Sequence, residues 1–216
     1  STDQWMRHNK KLLGINTEFT ICHWEKVRYF SADISSVWSY CYIKSKSDKE
    51  FKCWSLYHRI NIDSAGKNID LAASSEFWSV LAEDLPYKHR QWNHFCFSYS
   101  SSKRIGKLYY NGELIRKKSE GNFTDFESGE SVLRSSFIIG QEPDTFEGGY
   151  DPAQLFNGEI SELNVWSEVI GDPQISALAD CSMVIRGDVI SWQKQNFTIN
   201  KARDKEIQNH SLFCIH

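Results

Sequence analysis

The chain has 216 residues, 40% of them hydrophobic and 14% aromatic, enough to bury a sizeable core within one all-β domain. A net charge of −3 supplies no cationic face for nucleic acid or for an anionic membrane surface. No apolar run approaches the roughly 18–20 residues that cross a bilayer and no charged-then-apolar leader opens the chain, so direct membrane insertion is not expected.

Residues 1–11 are polar and weakly patterned and read as a frayed edge. Phe19-Thr20-Ile21-Cys22-His23-Trp24 alternates side chains between two faces, as a strand with one buried face must. Residues 92–99 repeat that pattern, with Phe95, Phe97 and Tyr99 on one side. Residues 107–115 form the clearest hairpin, because Asn111-Gly112 accepts the positive φ angles of a two-residue type I′ turn. Residues 136–140, 159–166 and 189–192 are strand-like as well. One short helix is expected near 173–180, capped by the Asp172 carboxylate and opened by Pro173. The chain shows no internal repeat, low-complexity tract or Pro/Gly-rich linker, so 1–216 reads as a single domain. Short strands separated by polar turns predict an antiparallel two-sheet sandwich.

Residues 135–185 contain no Lys or Arg yet carry nine acids. Four of these, Glu142, Asp144, Glu147 and Asp151, fall within ten residues that include Pro143, Gly148 and Gly149, and so lie in a loop. Crowded carboxylates repel unless a cation sits among them, and calcium takes six to eight oxygens in flexible geometry. A solvated acidic loop is the plain alternative.

Six cysteines at 22, 41, 53, 96, 181 and 214 include no CxxC pair, so disulfides are a better reading than zinc or thiol exchange. Fifteen pairings are allowed on count alone. N-glycosylation sequons at Asn122, Asn196 and Asn209 point to the same oxidising compartment. The expected location is extracellular, either secreted or as the ectodomain of a cell-surface protein.

The run Ile138-Ile139-Gly140-Gln141-Glu142-Pro143-Asp144-Thr145-Phe146-Glu147-Gly148-Gly149-Tyr150-Asp151-Pro152-Ala153-Gln154, continuing to Val165-Trp166, resembles the calcium loop of pentraxins. Residues 19–22, 94–100 and 189–192 agree with that family in order, so the resemblance spans nearly the whole chain. It implies an all-β antiparallel jelly-roll sandwich of the concanavalin A-like kind. By resemblance, Glu142, Asp144, Asp151 and Gln154 give side-chain oxygens to one or two calcium ions, and Pro143 gives its carbonyl. Asp48 matches a further ligand, while Lys49 replaces an amide residue and puts the second ion in question. The family's disulfide corresponds to Cys22 with Cys96. Cys41 and Cys53 flank the Asp48 loop in a way that suits a staple, and Cys181 with Cys214 would tie back a C-terminal extension of about 193–216. That last pair looks more similar to pentraxin-like modules in receptors than to the serum members. Tyr99 stands where the family motif has tryptophan, so a pentamer is not assumed, although an oligomer fits.

Other motifs carry less. Arg186-Gly187-Asp188 is ordinary turn chemistry before a strand. No H-E-x-x-H, G-x-S-x-G or cysteine-nucleophile setting occurs, and Glu159-Ile160-Ser161-Glu162 does not supply the E-x-D-x-x-E carboxylates of glycosidases on similar folds, so no enzyme is expected. Most of the eight tryptophans should be core. The expected function is calcium-dependent capture of a glycan, a phosphate-bearing ligand or a protein. The alternative is an adhesion domain in which calcium only orders the loop.

Overall fold

The computed structural model describes residues 5–8, 17–30, 34–43, 51–63, 66–75, 79–119, 132–194 and 197–200. Asp48, Lys49, Cys214 and the sequon residues Asn122, Asn196 and Asn209 lie outside them. In chain order the strands are β1 (Trp5–His8), β2 (Glu18–Val27), β3 (Ile34–Ile43), β4 (Lys52–Asp63), β5 (Gly66–Ser75), β6 (Ser79–Ala82), β7 (Asn93–Ser100), β8 (Ile105–Tyr110), β9 (Glu113–Ser119), β10 (Arg134–Ile139), β11 (Pro143–Thr145), β12 (Gly148–Tyr150), β13 (Gly158–Trp166) and β14 (Phe197–Asn200). The helix α1 (Asp172–Ala179) falls between β13 and β14.

Two antiparallel sheets make the jelly-roll sandwich. One runs β14-β1-β10-β3-β4-β5-β6, the other β13-β2-β7-β8-β9. Aromatic side chains from both sheets fill the gap. Phe19 packs edge-on against Phe97, with centroids 5.6 Å apart, Trp54 meets Tyr99 at 4.8 Å, and Trp38 lies over Phe137 at 5.8 Å. All of these rings are buried, and each such side chain removes on the order of 150–250 Å² from water. Trp38, Trp54, Trp166 and Trp192 are buried as the sequence suggests, whereas Trp5, Trp24 and Trp92 are only partly so.

The alternation in β2 sorts its residues between two environments. Phe19 and Ile21 face the inter-sheet core. Cys22 faces outward into a second cluster with Cys96, Tyr109, Trp166, Ile170 and Ile175, which α1 covers. The Thr20 hydroxyl pins the approach to that helix, donating to the Glu168 carbonyl at 2.8 Å and accepting from the Ile170 amide at 3.1 Å. The β8–β9 turn abuts α1. Asn111 and Gly112 have φ of 48° and 85°, and a Cβ on Gly112 would come within 3.0 Å of the Ala179 side chain. Glycine is therefore required twice over, by conformation and by space.

Three expectations need correction. Residues 5–8 do not fray: they form β1, paired with β10 on one side and β14 on the other. Asp172 does not cap the helix. Gly171 is the N-cap, its amide donates to Gln174 Oε1 at 2.8 Å, and the Asp172 carboxylate instead accepts from Lys107 Nζ and Tyr109 OH, both at 2.7 Å. Residues 189–192 are not a strand. They contribute one bridge, Val165 to Ile190, and lead into a 3-10 turn at Trp192–Lys194. The cause is Asn164, whose Oδ1 accepts from both the Gly187 and Trp192 amides and curls the segment.

Cys22 pairs with Cys96 and Cys41 with Cys53, each bridging directly opposed residues of neighbouring strands. The first joins residues 74 apart, a closure that stabilises by about 4 kcal/mol. Cys181 is disulfide-bonded as well. Among the described residues no helix is long and apolar enough to cross a membrane.

Candidate cation site

The acidic loop is a small hairpin of its own. Pro143 pairs with Tyr150 and Thr145 with Gly148, forming a two-stranded sheet separate from the two large ones. Extending that register by one step sets Glu142 opposite Asp151. The hairpin's base is fixed to the sandwich by the Gly140 amide on the Val37 carbonyl, the Phe156 amide on the Gly140 carbonyl, and the Ser39 hydroxyl on the Gln141 carbonyl. Its turn is tight. Gly149 has φ of 70°, and a Cβ there would meet Asp144 and Thr145 at 3.0 Å.

Of the five loop residues expected to ligate calcium, Pro143 is buried and Glu142, Asp151 and Gln154 are half-buried. Burial first, then the neighbouring Asp144 charge, push the Glu142 carboxyl above its ordinary range. Asp144 is exposed. Asp151 caps the 3-10 turn Pro152–Gln154, its Oδ1 accepting from the Ala153 amide at 2.8 Å. That turn places Gln154 Oε1 in a buried position with no hydrogen-bond partner, an unusual state for an amide oxygen.

The nine acids of 135–185 are not all uncompensated. Glu147 meets Arg7 at 2.9 Å and Arg134 at 3.7 Å, Glu159 meets Lys26 at 2.9 Å and Arg28 at 3.6 Å, and Asp172 meets Lys107 at 2.7 Å. The cations lie outside the window, Arg134 at its very edge and the others on or beside β1, β2 and β8, so composition within the window hides them. Glu142, Asp144 and Asp151 make none of these pairs.

The donors that remain are all oxygens: three carboxylates, one amide and the Pro143 carbonyl. This set suits a hard cation such as calcium, and the unmatched Gln154 oxygen and the elevated Glu142 carboxyl both describe groups that a cation would relieve. Among the described residues the one trio of ligand-type atoms all within 4.8 Å is Cys22, His94 and Cys96, where the sulfurs are spent in a disulfide. Glu142, Asp144 and Asp151 are not gathered within that distance of one another, which is about the width of a calcium oxygen shell.

A second polar centre, unforeseen from the sequence, lies inside the sandwich. Glu25 on β2 is fully buried, and His23 Nε2 reaches its Oε2 at 3.0 Å while His58 Nε2, from β4 in the opposite sheet, reaches its Oε1 at 2.5 Å. Tyr87 OH donates to the same Oε1 at 3.2 Å. Burial alone would push Glu25 up, but the charges and hydrogen bonds of His58 and His23 outweigh it and hold the carboxyl at about 2. Nearby His94 is brought down to about 3 by burial and then by the His23 charge, so it is neutral at physiological pH. His94 Nδ1 has no partner and its Nε2 lies 3.8 Å from Cys96 Sγ, which makes it a core side chain and not a satisfied polar one.

A model of the Pentaxin family matches residues 2–204. The chain belongs to the pentaxin family. This pentaxin is 27% identical over 204 residues to C-reactive protein 1.1 of Limulus polyphemus, covering 91% of this chain and 76% of that one. It is 28% identical over 187 residues to C-reactive protein 1.4 of the same animal, covering 83% and 70%. Neuronal pentraxin-2 of Cavia porcellus is 31% identical over 110 residues, half of this chain and 25% of that one. Among solved structures, a native heptameric SAP-like pentraxin from Limulus polyphemus superposes with a TM-score of 0.72 at 24% identity, covering 92% of this chain and 86% of that one. This last likeness establishes the shared jelly-roll fold.

The remaining motif of interest is part of the scaffold. Asp188 of Arg186-Gly187-Asp188 accepts from the Ser167 amide at 2.9 Å and from its hydroxyl, and a Cβ on Gly187 would lie 2.0 Å from the Ile190 carbonyl oxygen. The tripeptide is packed against β13 and does not present a free loop.

Proposed function

We propose that this pentaxin is an extracellular recognition module that captures its ligand through calcium held by Glu142, Pro143, Asp144, Asp151 and Gln154, without altering the ligand chemically. Asp48 completes the donor set in this reading. The observation that carries it is the buried Gln154 oxygen with no hydrogen-bond partner, together with a Glu142 carboxyl elevated by burial and by Asp144. Family membership over residues 2–204 supports the same reading. Calcium supplies positive charge and coordination positions open to phosphate, carboxylate or sugar hydroxyl oxygens. The residues of the chain do the rest: Pro143 and Gly149 hold the hairpin tight, and the Asp151 cap forms the turn that carries Gln154.

Extracellular placement rests on the disulfides and the three sequons, with Asn122, Asn196 and Asn209 as the glycan acceptors. The organisation that goes with it is one domain over 1–216 whose end is tied back through Cys181. The heptameric state of the Limulus structure supports self-assembly of this chain, with the number of copies left to experiment. The test is capture on a panel of immobilised phosphate-bearing and glycan ligands in millimolar calcium and in EDTA. Retention of the wild type in calcium alone, lost in Asp144→Asn, is the expected result. Capture that is indifferent to both EDTA and Asp144→Asn rules out a metal bridge and leaves another face as the binding surface.

A further inference from the structure

Glu147 sits in the acidic cluster but behaves unlike its neighbours. It occupies the turn between β11 and β12 with φ of 64°, a left-handed conformation that suits glycine and strains a residue with a Cβ. Glycines follow it directly at 148 and 149, so the turn has no lack of permissive positions. A glutamate kept at a strained position invites a search for what its side chain does.

The carboxylate reaches off the hairpin to two guanidinium groups, Arg7 of β1 at 2.9 Å and Arg134 of β10 at 3.7 Å. These strands are neighbours in the seven-stranded sheet. The contact is reinforced by rings: the Arg134 guanidinium lies 4.7 Å from the Phe146 centroid, and Trp5 meets Tyr150 at 6.2 Å. Every one of these links joins the hairpin's turn or second strand to β1 or β10. Apart from them, the described residues hold the hairpin at its base, through Gly140, Gln141 and Phe156, and by Phe51 edge-on to Phe146 at 6.3 Å.

We infer that Glu147 is a positioning residue: with Arg7 and Arg134 it latches the acidic hairpin onto the seven-stranded sheet, so that the oxygen donors flanking it are held ready for the cation. The inference rests on the calcium reading above but concerns a residue that does not touch the ion. Glu147 has its charge neutralised by arginine and is therefore the one loop acid not offered to the metal. The pairs are partly exposed, with side-chain accessibilities of 32% for Arg7 and 27% for Glu147, so the latch is of moderate strength, about five-fold in an equilibrium constant.

Glu147→Gly separates the latch from folding, because glycine relieves the strained φ while deleting the carboxylate. In metal-free buffer the variant should melt at or above the wild-type temperature, yet chymotrypsin should cut its hairpin near Phe146 and Tyr150 about five-fold faster. Terbium luminescence sensitised by Trp5 and Tyr150, displaced by calcium, should report about five-fold weaker calcium binding. Arg7→Gln should move both readouts in the same direction, and Arg7→Gln with Glu147→Gly together should be no worse than Glu147→Gly alone. Calcium affinity and cleavage rates equal to wild type in Glu147→Gly overturn the latch and leave the site standing. A wild type that takes up no calcium sinks the function proposed above instead, and the cleavage rates then decide the latch by themselves.

Discussion

Glu25 and Glu142 are the same side chain in two kinds of burial. Glu25, between the sheets, faces two imidazoles and a phenol and is held at about 2 despite complete burial. Glu142, at the edge of a hairpin, is pushed the opposite way, by burial first and then by the Asp144 charge. Burial raises both carboxyls, and only the partners of Glu25 reverse the sign. In the first arrangement the carboxylate is fully paired by the fold, although His23 Nδ1 and His58 Nδ1 stay unpartnered; in the second the function proposed above needs a cation to complete the pairing.

The largest effect should come from breaking the first arrangement. Glu25→Gln removes the carboxylate that His23, His58 and Tyr87 all bond inside the sandwich and should lower stability by about 1–3 kcal/mol in urea unfolding at neutral pH. The pH dependence has a definite sign. Because folding depresses the Glu25 pKa, its contribution is full above the ordinary carboxylate range near 4.5 and is lost as pH falls toward about 2. Unfolding curves recorded down that window should converge for wild type and Glu25→Gln, and parallel curves would show that the cluster is not ionised as described.

The second arrangement should respond the other way round. Asp144→Asn removes an exposed carboxylate, so the metal-free protein should keep its stability within about 0.5 kcal/mol. Calcium affinity should fall at least about ten-fold, as read by calorimetry. Glu142→Gln sharpens the contrast. Since folding raises this carboxyl, its ionised form opposes the metal-free fold once pH passes through its folded-state pKa, so the amide should raise the melting temperature in EDTA and lower it in calcium. The smallest expected effect is a modest weakening of calcium binding by wild type as pH is lowered into the carboxylate range, from proton competition at Glu142.

How much of this could be read in advance depends on whether the interaction is local. The Asn111-Gly112 turn was legible because its φ angles are a property of two adjacent residues. The acidic hairpin was legible as a loop because its four acids, Pro143 and two glycines fall within ten consecutive residues. β3 was not marked as a strand by alternation, since all but its end residues are buried on both faces and the period of two disappears. The Glu25 cluster was illegible for a different reason: its members come from β2, β4 and the connection before β7, and only the sheet-on-sheet stacking assembles them. The same holds for Glu147, which counts as one more acid until β1 and β10 bring arginines to it. Asp172 was misread because a cap is a local rule, and Lys107 and Tyr109 across the β8 surface offered its carboxylate more.

The most direct test of the account is a calorimetric titration of the purified, metal-stripped protein with calcium at neutral pH. Saturable uptake of one or two ions, abolished or weakened at least about ten-fold by Asp144→Asn, is the predicted result. No heat and no ion uptake at millimolar calcium, with the Asp144→Asn protein indistinguishable from wild type, would contradict it.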